Sequence, residues 1–359
     1  MQKRVTIKDV AAQVGVSAST VSIVLNDKQG CNIPDSTRQR ILEAVRALDY
    51  NPDYVARSLV MKKTDTIGVI VPDISNTFFS DTIKVIQRML DGRGYAIVLC
   101  NSDEKLENDL KNVKLLASRK VDGLIVTPSA ETMRGGRYTE LYALLKKTGK
   151  PFVLLDRYFD ESANKVMVDN TRAGYEVTEY LLSKGHRRIA CIGGPQELSS
   201  AANRLAGYKA ALAAHGIPAD EALIACGPYD TAWGYAAAQK LLSQNVTAIF
   251  ASNDLQAYGV IACAKERGVK IPKELSLVGF DDLTYSSLLD VPLTTVRQPI
   301  EELARQAADI LLAAIEGEEE QPREVRLQPE LVVRGTVTAP CGMAAAGANT
   351  KAEDAKENG

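Results

Sequence analysis

The sequence predicts a small all-α head followed by a larger α/β body of two doubly wound lobes with parallel sheets. Three observations carry that prediction. Apolar residues in the first 48 positions recur at helical spacing, and no strand-like run interrupts them. Residues 64–340 alternate short apolar strand runs with helical runs, the pattern of right-handed βαβ units. The alternating stretch is long for one open sheet, because single cores stop growing at roughly 250–300 residues, so it divides into two lobes.

Composition excludes several classes. Of 359 residues, 45% are hydrophobic and 25% charged, an ordinary balance for a soluble chain. No apolar run approaches the roughly 20 residues that span a bilayer, and MQKRVTIKDV at the start lacks a signal-peptide core. A membrane partner is therefore not expected. Six Cys are scattered without close pairs and there are only two His, so neither a disulfide framework nor a metal site is expected. A reducing cytoplasm fits best. Charge is uneven. Residues 1–63 hold ten Lys and Arg against six Asp and Glu, a net +4, which leaves −6 of the overall −2 for the remainder. A basic head on an acidic body suits a polyanion touched by one end only.

Taken in order, Thr6 caps a first helix, Ile7 to Val14, with Ile7, Val10, Ala11 and Val14 on one stripe, and Gly15 breaks it. Ser17 caps a second helix, Ala18 to Leu25, which buries Val21 and Val24 or Leu25. Pro34-Asp35-Ser36-Thr37 opens a third, Arg38 to Leu48, with Ile41, Leu42, Val45 and Leu48 inward. A helix, a glycine-containing turn and a second helix capped by Ser make the spacing of a DNA-binding helix-turn-helix. The small residues Ser17, Ala18, Ser19, Thr20 and Ser22 let its backbone approach phosphates. NPDYVARSLV (51–60) reads as a short helix, with Asn51 as cap and Pro52 in the first turn. It is too short to be stable alone.

Strand runs follow at 67–72, 95–100, 123–128, 152–156, 165–169, 188–194, 248–254, 275–282, 293–298 and 330–334. The small and polar run 341–359 reads as a disordered tail. Doubly wound sheets bind ligands at the carboxyl ends of their strands. Those ends here carry amides, carboxylates, an Arg and an aromatic pair, the set that holds a sugar by its hydroxyls and its apolar face. Trp233 reads either as a weaker cleft candidate or as core packing in its helical neighbourhood, and His186 as turn shaping.

TIKDVAAQVGVSASTVSIVLN (6–26), STRQRILEAVRALDYNPDYVARSL (36–59) and TIGVIVPDISNTFFS (66–80) resemble the lactose-repressor (LacI) family of bacterial transcription regulators. The resemblance continues through VGFDDL (278–283) and PLTTVRQP (292–299), in the family's order and spacing. It implies a helix-turn-helix domain at 1–48, a hinge helix and linker at 49–63, and an effector-binding and dimerisation domain at 64–340. Its lobe 1 is expected at about 64–163 and 294–323, and lobe 2 at about 164–293 and 324–340.

DNA contacts are implied for Thr6, Ser17, Ala18, Ser19, Thr20, Ser22, Ile23, Asn26, Tyr50, Arg57 and Leu59, with Leu59 wedged into a central base step from the minor groove. Ile23 departs from the polar residue frequent at its position. It can touch a thymine methyl but cannot hydrogen-bond a base edge. The lobes resemble the ribose-type periplasmic binding fold, which implies an effector site of Asn76, Phe78, Phe79, Asp156, Arg157, Arg204, Tyr229, Asn253, Asp281 and Gln298.

No nucleophile elbow, Walker A or dinucleotide-binding turn is present, so no enzyme is expected. The resemblance implies a cytoplasmic, DNA-associated homodimeric repressor on a pseudo-palindromic double-stranded operator. A small effector, a sugar or sugar derivative, controls it, without any other cofactor. The alternatives within the family are a protein coregulator and a purine or nucleoside effector.

Overall fold

A computed structural model describes residues 5–25, 33–50, 63–159, 162–318 and 321–341. The chain divides into two compact units, Met1–Thr64 and Asp65–Gly359.

In the first unit, helices run Ile7–Val14, Ala18–Leu25 and Asp35–Ala47. The third begins three residues before its expected start, because Pro34 occupies the cap and Asp35 complements the positive helix end. The carboxylate of Asp9 accepts from the Thr6 N–H at 2.8 Å and from its hydroxyl at 2.7 Å, fixing the first helix end. Gly15 takes φ +74° and closes that helix. Val10, Ala11, Val14, Val21, Val24, Ile41 and Ala44 form the core. Arg40 donates to the Val14 carbonyl at 2.7 Å and ties the third helix to the first. The expected hinge helix at 51–60, with Arg57 and Leu59, lies outside the described residues, as do Asn26 and most of the tail.

In the second unit, the strands are β1 (Thr66–Val71), β2 (Ala96–Asn101), β3 (Gly123–Val126), β4 (Phe152–Leu155), β5 (Asn164–Val168), β6 (Ile189–Gly193), β7 (Ile224–Cys226), β8 (Ala248–Ala251), β9 (Ser276–Val278), β10 (Thr295–Arg297), β11 (Glu324–Leu327) and β12 (Glu330–Val332). A six-stranded parallel sheet has the order β11-β5-β4-β3-β1-β2. A four-stranded parallel sheet has the order β7-β6-β8-β9. β10 and β12 pair antiparallel, and single bridges from Val278 to Thr294 and from Asp281 to Arg297 join them to the second sheet.

Sheet membership moves the expected lobe bounds. β5 and β11 belong to the first sheet, so lobe 1 runs past 163 to about 168 and regains the chain near 299, while β10 belongs with lobe 2. Strand-like sequence at 165–169 and 293–298 does not say which sheet receives it. β7 and β11 were absent from the strand reading. β7 is three residues long, and β11, Glu-Val-Arg-Leu, is an edge strand whose alternating charges suit one exposed face.

Each lobe reverses strand order once, between β1 and β3 in the first and between β6 and β8 in the second. Ligands of doubly wound sheets sit outside the strand ends at such switch points.

Candidate effector cleft and nucleic-acid interface

In the head, Ser17 and Ser19 are exposed, and Ala18, Thr20, Ser22 and Ile23 are half-buried on the second helix, while Val21 and Val24 point inward. The Ser17 hydroxyl accepts from the Thr20 N–H at 3.1 Å, so it caps the helix as its residue type suggests. It also lies 2.7 Å from the Ser19 and 2.8 Å from the Thr20 hydroxyl. Thr6 is exposed at the start of the first helix, and Tyr50 packs against the head core. The outward face is short-chained and polar apart from Ala18 and Ile23, which suits close approach to a phosphate backbone.

In the body, all ten expected cleft residues line one cavity, together with Ser200. They come from strand ends in both lobes. Asn76 caps helix Thr77–Asp91 after β1, its side chain accepting from the Phe78 N–H at 3.1 Å. Phe78 and Phe79 meet edge to face with centroids 5.1 Å apart. Asp156 and Arg157 follow β4, and Asp156 holds a left-handed φ of +64°. Asn253 follows β8 and caps helix Asp254–Glu266 by accepting from the Gln256 N–H at 2.9 Å. Asp281 follows β9 at φ +108°, and Gln298, after β10, donates to it at 2.7 Å.

Arg204 sits on helix Ser199–Ala214, which packs closely on helix Asn170–Ser183. The contact needs Gly174, where an added Cβ would lie 2.2 Å from the Arg204 carbonyl oxygen. The Arg204 guanidinium is 3.5 Å from the Phe280 ring centroid, donates to Asn170 at 2.8 Å and to the Ser252 carbonyl, and stands 3.9 Å from Asp281. Arg157 is held in a bidentate pair with Glu104 at 2.8 and 2.9 Å, donates to the Pro128 carbonyl at 3.1 Å, and lies over the Phe79 ring. Tyr158 then reaches the other lobe, its N–H donating to the Ser199 hydroxyl at 3.3 Å and its hydroxyl accepting from Asn203 at 3.3 Å.

Sequence reasoning missed Ser200, Glu104, Asn170 and Ser252. For Ser200 a signal was present, because it precedes Arg204 by four residues and shares its helix face. Nothing local marks the other three, since they act by orienting arginines that are distant in sequence.

The cleft is electrostatically stressed. Burial pushes the Asp281 carboxyl up to about 7 against the opposing pull of Arg204, and the nearby charge of Asp254 adds to the rise. Burial also raises Asp156 and the Tyr229 hydroxyl. Asp254 is raised to about 6, again by burial, although Thr295, Ser286 and the Leu283 N–H donate to it. It lies behind the cleft and pins its helix to the crossover strands.

Four buried polar atoms of the lining have no hydrogen-bond partner, namely Asp156 Oδ1, Arg157 Nε, Tyr229 Oη and Gln298 Oε1. They surround a cavity of about 20 Å³, little more than one water occupies. Asp281 and Asp282 have separate partners, the latter being bound by Arg297 at 2.8 Å and Arg334 at 2.6 Å. His186 is buried between Thr247, Ser276 and the Thr338 carbonyl, and burial lowers its pKa. Trp233 packs on the second-lobe core.

Residues 6–53 match the family described as bacterial regulatory proteins, lacI family. Residues 64–334 match periplasmic binding proteins and the sugar binding domain of the LacI family. This chain belongs to the LacI family. It is a DNA-binding transcription regulator of the repressor type with an effector-binding body. The repressor PurR of Vibrio atlanticus is 34% identical over 336 residues, which cover 92% of this chain and 98% of that one. The lac repressor dimer bound to operator and an anti-inducer is 28% identical, with a TM-score of 0.84 over 94% of this chain and all of that chain. A LacI family regulator from Enterococcus faecium with bound ribose is 32% identical, with a TM-score of 0.68 over 76% of this chain and 99% of that one. Among the described residues, no helix is long and apolar enough to cross a membrane.

Proposed function

We propose that this LacI-family repressor binds a neutral sugar between its lobes and that sugar binding changes its hold on a pseudo-palindromic operator, which it grips as a homodimer. The ten cleft residues and Ser200 contact the sugar. Acceptors Asp156, Asp281 and Gln298 take its hydroxyls, and Phe78 and Phe79 lie along its apolar face. One observation carries the reading: four unpartnered polar atoms converge between two lobes, each an uncompensated burial of about 1–3 kcal/mol that a hydroxyl-rich ligand relieves. The ribose-bound relative from Enterococcus faecium supports the ligand class.

The cavity must widen to admit a ring, so the lobes part on entry and close on the ligand. Closure moves the strand ends of both lobes together, and the two-state element it biases is the lobe pair of each protomer. In this reading the chain works in the cytoplasm, catalyses nothing and holds no cofactor besides its effector. Ser17, Ala18, Ser19, Thr20, Ser22, Ile23 and Asn26 face the major groove, while Arg57 and Leu59 of the 51–60 segment act at the operator centre.

A thermal-shift panel of pentoses, hexoses, sugar phosphates and purines tests the ligand class. A ligand at 100 times its Kd stabilises the folded state by about 2.7 kcal/mol. A neutral sugar that raises the midpoint and alters operator binding in a mobility-shift assay is the expected result. Response to purines alone overturns it.

A further inference from the structure

A second compartment of about 860 Å³ opens beside the inner cavity. The two share Tyr229, whose ring forms the wall between them. Lobe 1 supplies Glu104, Glu131 and Arg134, and lobe 2 supplies Gln196 and Glu197. The wall is tightly built. A Cβ on Gly194 would lie 2.2 Å from the Tyr229 ring, so only glycine lets that loop lie flat on the aromatic face. Arg134 and Glu197 pair at 3.0 Å across the two lobes. Arg134 is 66% exposed, so the pair is weak and readily exchanged for ligand hydroxyls.

Size and charge together define the occupant. The inner cavity is about 20 Å³ and charged, whereas the outer one has the volume of a complete ligand site. The outer lining holds three glutamates against one arginine. Both inner guanidiniums are already committed, Arg157 to Glu104 and Pro128, and Arg204 to Asn170, Ser252 and Asp281. Arg134, held by Glu197 through Nε, is the one guanidinium of the outer lining and stands among three glutamates, so a phosphate ester meets net negative charge there.

We propose that the effector is an uncharged glycoside of at least two sugar rings, with the inner ring in the charged cavity and the next in the outer compartment. Tyr229, which lines both compartments, then stands between the two rings. This rests on the sugar reading of the inner cleft.

The test titrates the full-length protein by calorimetry, with the single Trp, Trp233, as a fluorescence cross-check. Probes are glucose, galactose, mannose, xylose and arabinose, each offered as the monosaccharide, as its di- and trisaccharides and as its phosphate ester. At least one disaccharide binds about tenfold or more tighter than its own monosaccharide, the worth of one or two added hydrogen bonds. The matching phosphate ester binds more weakly than the free sugar. Arg134→Ala and Gln196→Ala, one on each lobe, bring the disaccharide-to-monosaccharide ratio toward one. Equal affinity for one ring and two, a ratio untouched by both variants, or tighter binding of the ester overturns the proposal while leaving the inner sugar site standing. Binding of no sugar at all overturns both.

Discussion

Asp281→Asn separates a carboxylate that stabilises the fold from one held for a ligand. The substitution is nearly isosteric, and the new amide oxygen can still accept from Gln298, which now donates at 2.7 Å. Burial raises the Asp281 carboxyl from its ordinary 3.8 to about 7 in the folded protein. The folded state therefore holds a proton that the unfolded chain has released. Stability from this group is complete below pH 4 and is lost as pH rises toward 7.

Between pH 5 and pH 8 the group titrates over about two units, and at 1.36 kcal/mol each the wild type loses about 2.7 kcal/mol from it. Asn has no such loss. Measured against wild type by urea unfolding, Asp281→Asn should thus gain on the order of 2–3 kcal/mol between pH 5 and pH 8. Any pH-independent offset comes from Arg204, which keeps its charge and loses its neighbour at 3.9 Å. At pH 8, where the folded carboxyl is ionised, sugar affinity should fall about 10- to 150-fold, because a hydrogen bond to a charged group is worth about 1.5–3 kcal/mol. A stability difference that stays constant across that pH range would refute the argument and make Asp281 an ordinary partner of Arg204.

Other substitutions probe other levels. Gly194→Ala places a Cβ 2.2 Å from the Tyr229 ring and should displace it, weakening ligand binding at a folding cost of about 1–3 kcal/mol; unchanged affinity by calorimetry would remove Tyr229 from the wall. Ser17→Ala deletes the hydroxyl that accepts from Thr20 and should cost the head about 0.5–2 kcal/mol, read by calorimetric unfolding, with weaker operator binding. Leu59→Ala, in the segment read as hinge, should sharply reduce operator over nonspecific DNA affinity in a mobility-shift assay and leave the sugar response intact. Equal operator binding would end the wedge assignment.

Much of this was legible in sequence because the informative residues are local. Thr6, Gly15 and Ser17 announce three helix ends, and each does so in the structure. The ten cleft residues sit just beyond strands or in the next helix, where strand direction alone collects them. Lobe boundaries were less legible, since β11 joins the first sheet by pairing with β5, a strand distant in sequence. Glu104 was hidden for the same reason, being paired with Arg157 across 53 positions. Sequence periodicity reports which face of a strand is buried, not which neighbour it meets.

Three independent stresses fall on the same few strand ends. Asp103, Glu104, Asp156, Asp281 and Asp282 all hold positive φ, a conformation that L-residues other than Asn and Asp seldom adopt. Asp156 and Asp281 also carry raised pKa values, and Asp156, Tyr229 and Gln298 carry unpartnered atoms. The cores of both lobes behind these ends are continuous and apolar. Asn at Asp156 would keep the same backbone conformation without burying an ionisable carboxyl. A ligand lying between the lobes, as proposed, satisfies acceptors from both at once. The same geometry makes that species a lever. In the proposed reading a sugar that bonds Asp156 in one lobe and Asp281 in the other does so only with the lobes closed, so its free energy of binding differs between open and closed states, which is the condition for it to shift the equilibrium.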